Sequence, residues 1–270
     1  ELKKALLADA KASGAPVTPA QLGAKVATIL ANREVRGTVD RIRSAGGDAR
    51  YIIGDVQDAD AVRAALAEVR REWGPITGIV HGAGILADKF LVDKTVEQFE
   101  RVFDTKVNGL RVLLGATRED PIDTIVMFSS VAARCGNQGQ VDYAMANEVL
   151  NKVAAAERAR RGDVVVKSLN WGPWEGGMVT PQLKARFESL GVPLIPLRQG
   201  ARMMAEELTG APVDQIELVL GGEPKPEALL SDGSEGPTRF EIFVDAKSHP
   251  YLDGHRVKGV PVVPVVLALE

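Results

Sequence analysis

The 270-residue sequence predicts an α/β fold with a doubly wound parallel sheet, and three observations carry that prediction. Short apolar runs alternate along most of the chain with longer stretches of helical period, the rhythm of strands joined by right-handed helical crossovers. The runs are nearly continuous in Val, Ile and Leu, as strands buried on both faces require. Several of them end on Gly, Ser, His or Asp, at the carboxyl ends where open parallel sheets bind their ligands.

The elements follow in order. Thr18, Pro19 and Gln21 form a helix start, with Thr18 as N-cap, Pro19 at the first helical position and Gln21 reaching back; the helix is expected to run to Gly46 and Gly47. Residues 49–56 (ARYIIGDV) read as a strand, and Asp58 caps a helix that ends near Gly74. The period then repeats as a strand over 76–84, a helix over 94–118, a strand over 122–130, a helix from about Val141 and a strand over 164–174. Helices over 181–191 and 199–208 precede a last strand over 215–222. Residues 223–238, rich in Pro, Gly, Ser and acidic side chains, read as a linker. Beyond it the chain turns rich in Val and Pro and reads as a short β-rich C-terminal fragment.

Composition excludes several classes of function. Thirty-six acidic against 33 basic residues leave no large basic surface for nucleic acid. No apolar run approaches the roughly 18 residues of a membrane span. The N-terminal stretch is amphipathic and carries no signal-peptide core. Cys135, the only cysteine, fits a reducing compartment, so a cytoplasmic protein is expected. His249 and His255 lack convergent thiolates or carboxylates, and no metal is expected.

The residues that point to chemistry lie around one strand end. Tyr143 and Asn147 are four apart on a predicted helix and share a face. Ser130 stands at the exit of the preceding strand, and Lys106 lies in the helix before it. A phenol, a hydroxyl and an amide around one carbonyl suit carbonyl reduction. Asp55 and Val56 end the first run, where a carboxylate accepts hydrogen bonds from an adenine edge. His81, Gly82, Ala83 and Gly84 end the second, and their glycines let backbone approach a flat ring. In the stretch from Trp171 to Met178, the tryptophans either wall the site or pack beneath a loop, and Gly176 and Gly177 suit a lid hinge.

These phrases carry a resemblance. HGAGILADKFLVDKT, FDTKVNGL, FSSVAARCGNQGQVDYAMANEVLNK and WGPWEGGMV are similar to the ketoreductase of the short-chain dehydrogenase/reductase superfamily, in the version built into polyketide and fatty acid synthases. The nearest likeness is to polyunsaturated fatty acid synthases. Ordinary superfamily members carry lysine four residues after the tyrosine, whereas the synthase reductases exchange it with an asparagine, as Asn147 and Lys106 do here. The resemblance implies a Rossmann-like sheet and NADPH-dependent reduction of a β-ketoacyl thioester on an acyl carrier protein, in company with other domains of the same synthase. It implies Tyr143 as proton donor, Ser130 on the carbonyl oxygen, Lys106 on the nicotinamide ribose and as the cation that lowers the phenol pKa, and Asn147 steadying the lysine and a water chain. Cofactor contacts are implied for Pro173 and Trp174 as well, and substrate contacts for Asp88, Trp174, Gly177 and Met178.

D-specific reductases of this kind carry a Leu-Asp-Asp signature, while L-specific ones carry tryptophan eight residues before the tyrosine. Here the first reads Leu86-Ala87-Asp88 and the second position is Cys135, so the D-hydroxyl is expected. No Gly-x-Gly-x-x-Gly precedes Thr18, and the sequence is expected to begin after the first βαβ element. His255, Gly259 and Pro264 fit a His-x-x-x-Gly-x-x-x-x-Pro pattern that resembles a hot-dog dehydratase. The expected division is therefore 1–221 reductase, 222–238 linker and 239–270 the start of a dehydratase-like domain. Two other readings stand beside the synthase reductase: a free-standing carbonyl reductase and a non-catalytic structural fragment of a synthase.

Overall fold

A computed structural model describes residues 2–12, 14, 18–179, 181–189, 191–210, 214–221, 256–257 and 260–261. The chain divides into two units, Glu1–Thr180 with Leu194–Gly222, and Pro181–Pro193 with Glu223–Glu270. The linker and the residues His255, Gly259 and Pro264 lie outside the described residues. The tail contributes the short antiparallel pair β5 (Arg256–Val257) and β6 (Val260–Pro261).

The first unit is built on four parallel strands in chain order, β1 (Gly78–His81), β2 (Thr124–Ser130), β3 (Val165–Trp171) and β4 (Glu217–Leu220). Side chains alternate between the two faces of the sheet. On one face Ile79, Ile125, Met127 and Val166 pack with Leu110 and Leu150, from α4 (Val96–Ala116) and α6 (Val141–Arg161). On the other, Val126, Leu169 and Trp171 pack with Met203, Met204 and Leu208 of α8 (Leu197–Thr209). Burial on both faces explains the apolar run from Ile125 to Phe128 in β2, while β3 carries buried Lys167, Ser168 and Asn170 among its apolar residues.

The helix starts follow their caps. In α2 (Pro19–Ser44) Thr18 and Gln21 form the predicted capping box, and Thr95 and Gln98 form another ahead of α4. Asp58 caps α3 (Ala59–Trp73) through the amides of Asp60 and Ala61. The α3 end is anchored where Arg70 meets Asp120, with Nε 2.9 Å from Oδ1, and donates to the Ala116 carbonyl at 2.7 Å. The remaining described helices are α1 (Leu2–Ala12), α5 (Ala132–Cys135), which turns the chain out of β2, and α7 (Pro181–Ser189) of the second unit.

One expected strand is absent. Residues 49–56 run without ladder pairing, and Tyr51 and Ile53 are exposed. A strand is defined by its neighbour, and among the described residues no strand pairs with this segment; its backbone bonds are local, from Arg43 to the Ala49 carbonyl and from the Asp58 amide to the Asp55 carbonyl. The segment's apolar alternation reports only a surface that prefers burial.

Candidate active site

The site is assembled at the carboxyl ends of β1 and β2, between α4 and α6. Lys106, three turns into α4, is 3% exposed and donates from Nζ to the Phe128 carbonyl at 2.8 Å. Its ammonium lies 5.4 Å from the centroid of the Tyr143 ring. Tyr143 sits in the first turn of α6, and Asn147, one turn on and fully buried, donates from Nδ2 to the Tyr143 carbonyl at 2.7 Å. Asn147 Oδ1 is buried without a protein partner. Ser130 Oγ, at the end of β2, accepts the Ala132 amide at 3.2 Å. The four residues singled out by spacing are thus brought together by one strand and two helices.

Burial sets the proton affinities. The Tyr143 phenol is pushed above its usual value by desolvation first, with Ser130 and Asn147 pulling it down and the Asp88 charge raising it. Lys106 is pushed down to about 8 by burial. On balance the phenol is raised, because desolvation of the phenolate outweighs the hydrogen bonds from Ser130 and Asn147. His81, 1% exposed, is lowered to about 4, mainly by burial, and is neutral near pH 7. Its Nε2 lies 2.8 Å from the Lys106 carbonyl, which only accepts, so the proton sits on Nε2 and the buried Nδ1 has no partner.

Around these groups lie the other expected residues. A Cβ on Gly84 would come within 3.0 Å of Lys106 Cε and 3.6 Å of Met178 Cε, so glycine lets the lysine stem lie close against the loop backbone. Gly82 and Ala83 lie on the same loop. The unpartnered Asn147 Oδ1, with the Lys106 ammonium beside the Tyr143 ring, suits the polar groups of a nicotinamide cofactor. Asp55 is exposed, and its Oδ1 accepts the Gln57 amide at 2.9 Å, while Val56 packs on Gly109 of α4. Asp88 accepts from Gln140 Nε2 at 2.9 Å and faces solvent.

Trp171 is a core residue, 5% exposed, stacked edge-on to Trp174 at 4.8 Å between centroids. For Trp171 the packing reading holds. Trp174 is half-buried, bridged to Ile195 and seated on Gly200, where a Cβ would come within 2.3 Å of its ring. The Pro173 carbonyl accepts the Ile195 amide at 2.8 Å, so Pro173 belongs to the same bridge. Gly176 and Gly177 have φ of 136° and 62°, a path that side chains resist, and lead to the exposed Met178.

Some residues that shape the site carried no signal in the sequence. Gln140 holds Asp88, and Ser129, Asn151 and Asn170 form a buried network beneath the site. Asn170 Oδ1 there accepts from Asn151 at 3.1 Å and lies 2.8 Å from the Ser129 hydroxyl. Polar residues on predicted strands and helices that face inward mark such a network only once the sheet register is known. Among the described residues no cluster suits a metal ion, and no helix is long and apolar enough to cross a membrane.

This fold and this tyrosine-lysine-serine-asparagine arrangement define a reductase of the short-chain dehydrogenase type. The KR-domain family model matches residues 20–176, more than half of the sequence, and the chain belongs to the KR-domain family, the β-ketoacyl reductases of polyketide and polyunsaturated fatty acid synthases. It is 40% identical over its whole length to a polyunsaturated fatty acid synthase of Thraustochytrium sp., and spans 9% of that protein. Over 64% of the chain it is 36% identical to the polyketide synthase ThaG of Burkholderia thailandensis, covering 3% of it. A ketoreductase domain from the bacillaene assembly line superposes with a TM-score of 0.61 at 31% identity, covering 68% of this chain and 45% of that one. An N-terminal ketoreductase from the macrolactin assembly line gives 0.59 at 28% identity, with 69% and 36% covered.

Proposed function

We propose that this chain reduces the β-keto group of an acyl thioester carried on an acyl carrier protein, with NADPH as the reductant and the D-β-hydroxyacyl thioester as product. The observation that carries the reading is the gathering of Ser130, Asn147 and Lys106 around Tyr143 at the end of β2. A bound reduced nicotinamide supplies hydride to the carbonyl carbon. As negative charge grows on the oxygen, Ser130 donates a hydrogen bond to it and Tyr143 delivers the phenolic proton. Lys106 holds the ribose hydroxyls and offers a positive charge beside the phenolate that forms. That phenolate is costly in so buried a setting, so the protonated form of Tyr143 persists until transfer, as a general acid requires. Asn147 Oδ1, still free to accept, suits a carboxamide or a water that returns the proton.

The alignment with a polyunsaturated fatty acid synthase over the full chain supports a fatty acyl substrate and a carrier domain as partner. Asp88 of the Leu86-Ala87-Asp88 loop, held by Gln140, supports the D product. The test is Tyr143→Phe in the full-length protein. Turnover of a β-ketoacyl thioester should fall by roughly 100-fold or more in kcat with NADPH affinity nearly unchanged, because the proton is used only in the transition state. Retained turnover would remove Tyr143 as the acid, and an L product from the unaltered protein would remove the stereochemical assignment.

A further inference from the structure

A buried ion pair lies between the loop that carries Asp88 and the helix that carries Tyr143. Lys94, one residue before the Thr95 cap of α4, meets Asp142 in the first turn of α6 at 2.7 Å, with side chains 2% and 1% exposed. Lys94 Nζ also donates to the Ala87 carbonyl at 2.7 Å, and Asp142 Oδ1 accepts the Tyr143 amide at 2.9 Å. A continuous path therefore runs from the residue before Asp88, through an ammonium and a carboxylate, to the backbone of Tyr143. A second link closes the outer side, where Gln140 donates to Asp88 at 2.9 Å and the Lys89 amide donates to the Gly139 carbonyl at 3.0 Å.

Two charges withdrawn from water rarely stabilise a fold more than apolar side chains of the same volume would. What they add is direction: an ammonium with two fixed acceptors sets where the Ala87 carbonyl stands relative to Asp142. The two side chains bond each other, the Ala87 carbonyl and the Tyr143 amide, and not the Tyr143 phenol. We propose that Lys94 and Asp142 are positioning residues that set the loop of residues 85–90 against Tyr143, and so decide how the acyl-thioester arm, and with it the face of the ketone, is presented. The proposal rests on the reductase reading above.

The test compares Lys94→Met, Asp142→Leu and the double variant in the full-length protein, with thermal midpoint, KM, kcat and the enantiomer ratio of the hydroxyacyl product as readouts. Each single variant leaves one buried charge alone and should melt earlier, whereas the double leaves none and should recover much of the midpoint. In all three the minor enantiomer and the KM for the thioester should rise roughly tenfold, with kcat changed less, because orientation is lost while the acid remains. A double variant that regains both the midpoint and the original enantiomer ratio would show that the pair only packs, and overturns the proposal. Folded single variants with unchanged ratio and KM overturn it equally. Failure of the unaltered protein to reduce the thioester strikes the reductase reading instead, and needs no variant to be seen.

Discussion

At the scale of single residues, Lys106 illustrates how a buried ammonium is held at a cost to the fold. Its ammonium is buried with one carbonyl partner and its pKa is about 8, against an ordinary 10.5. Between those two values the unfolded chain binds the proton that the folded chain releases, so folded stability rises with pH through that window. Below about pH 8 the whole penalty is present. Lys106→Met should therefore abolish ketone reduction yet raise the thermal midpoint at pH 7, by an equivalent of at most about 3 kcal/mol. The advantage should shrink as the pH is raised from 8 to 10.5. Melting curves of both proteins across that range check the sign, and a variant that melts earlier at every pH would show that Lys106 stabilises the fold.

Between elements, the decisive contact is that of α8 with the strand-end loop. Gly200 is flush with the Trp174 ring, which is itself stacked on Trp171 and bridged to Ile195. A methyl group there would sit inside the ring's van der Waals surface, and the backbone of a helix cannot retreat cheaply. Gly200→Ala should thus cost roughly 1–3 kcal/mol by overpacking, despite the better helix propensity of alanine. Displacement of Trp174 should also raise the KM for the thioester. Thermal melts and steady-state kinetics of the variant measure both effects; unchanged values in both would mean that the ring is free to swing away.

Over the whole molecule, the pH dependence of stability gathers these local terms. His81 is neutral in the fold, with a pKa of about 4 against 6.5 in the open chain. From pH 6.5 down to 4 the unfolded state takes up a proton that the folded state refuses, so stability falls across that range, by at most about 3 kcal/mol from this residue. His81→Gln, whose side-chain amide nitrogen reaches the place of Nε2, retains a donor for the Lys106 carbonyl and removes the titration. Its denaturation free energy should lose less between pH 6.5 and 4 than that of the unaltered chain, and parallel curves would place the acid sensitivity elsewhere.

The order of the elements was legible in the sequence because it depends on local physics. Caps at Thr18 and Asp58, and the apolar runs that become β1 to β4, act within a few residues of themselves. Tyr143 and Asn147 were legible for the same reason, since one helical turn separates them. Residues 49–56 were misread because strand formation needs a partner that local pattern does not contain. The Lys94–Asp142 pair, the Gln140–Asp88 contact and the seat of Trp174 on Gly200 join residues 48, 52 and 26 positions apart. Only the packed sheet and helices bring those together. The same holds for the proton affinities of Tyr143, Lys106 and His81: sequence supplies the groups and their intrinsic values, while burial, a property of the tertiary fold alone, moves them.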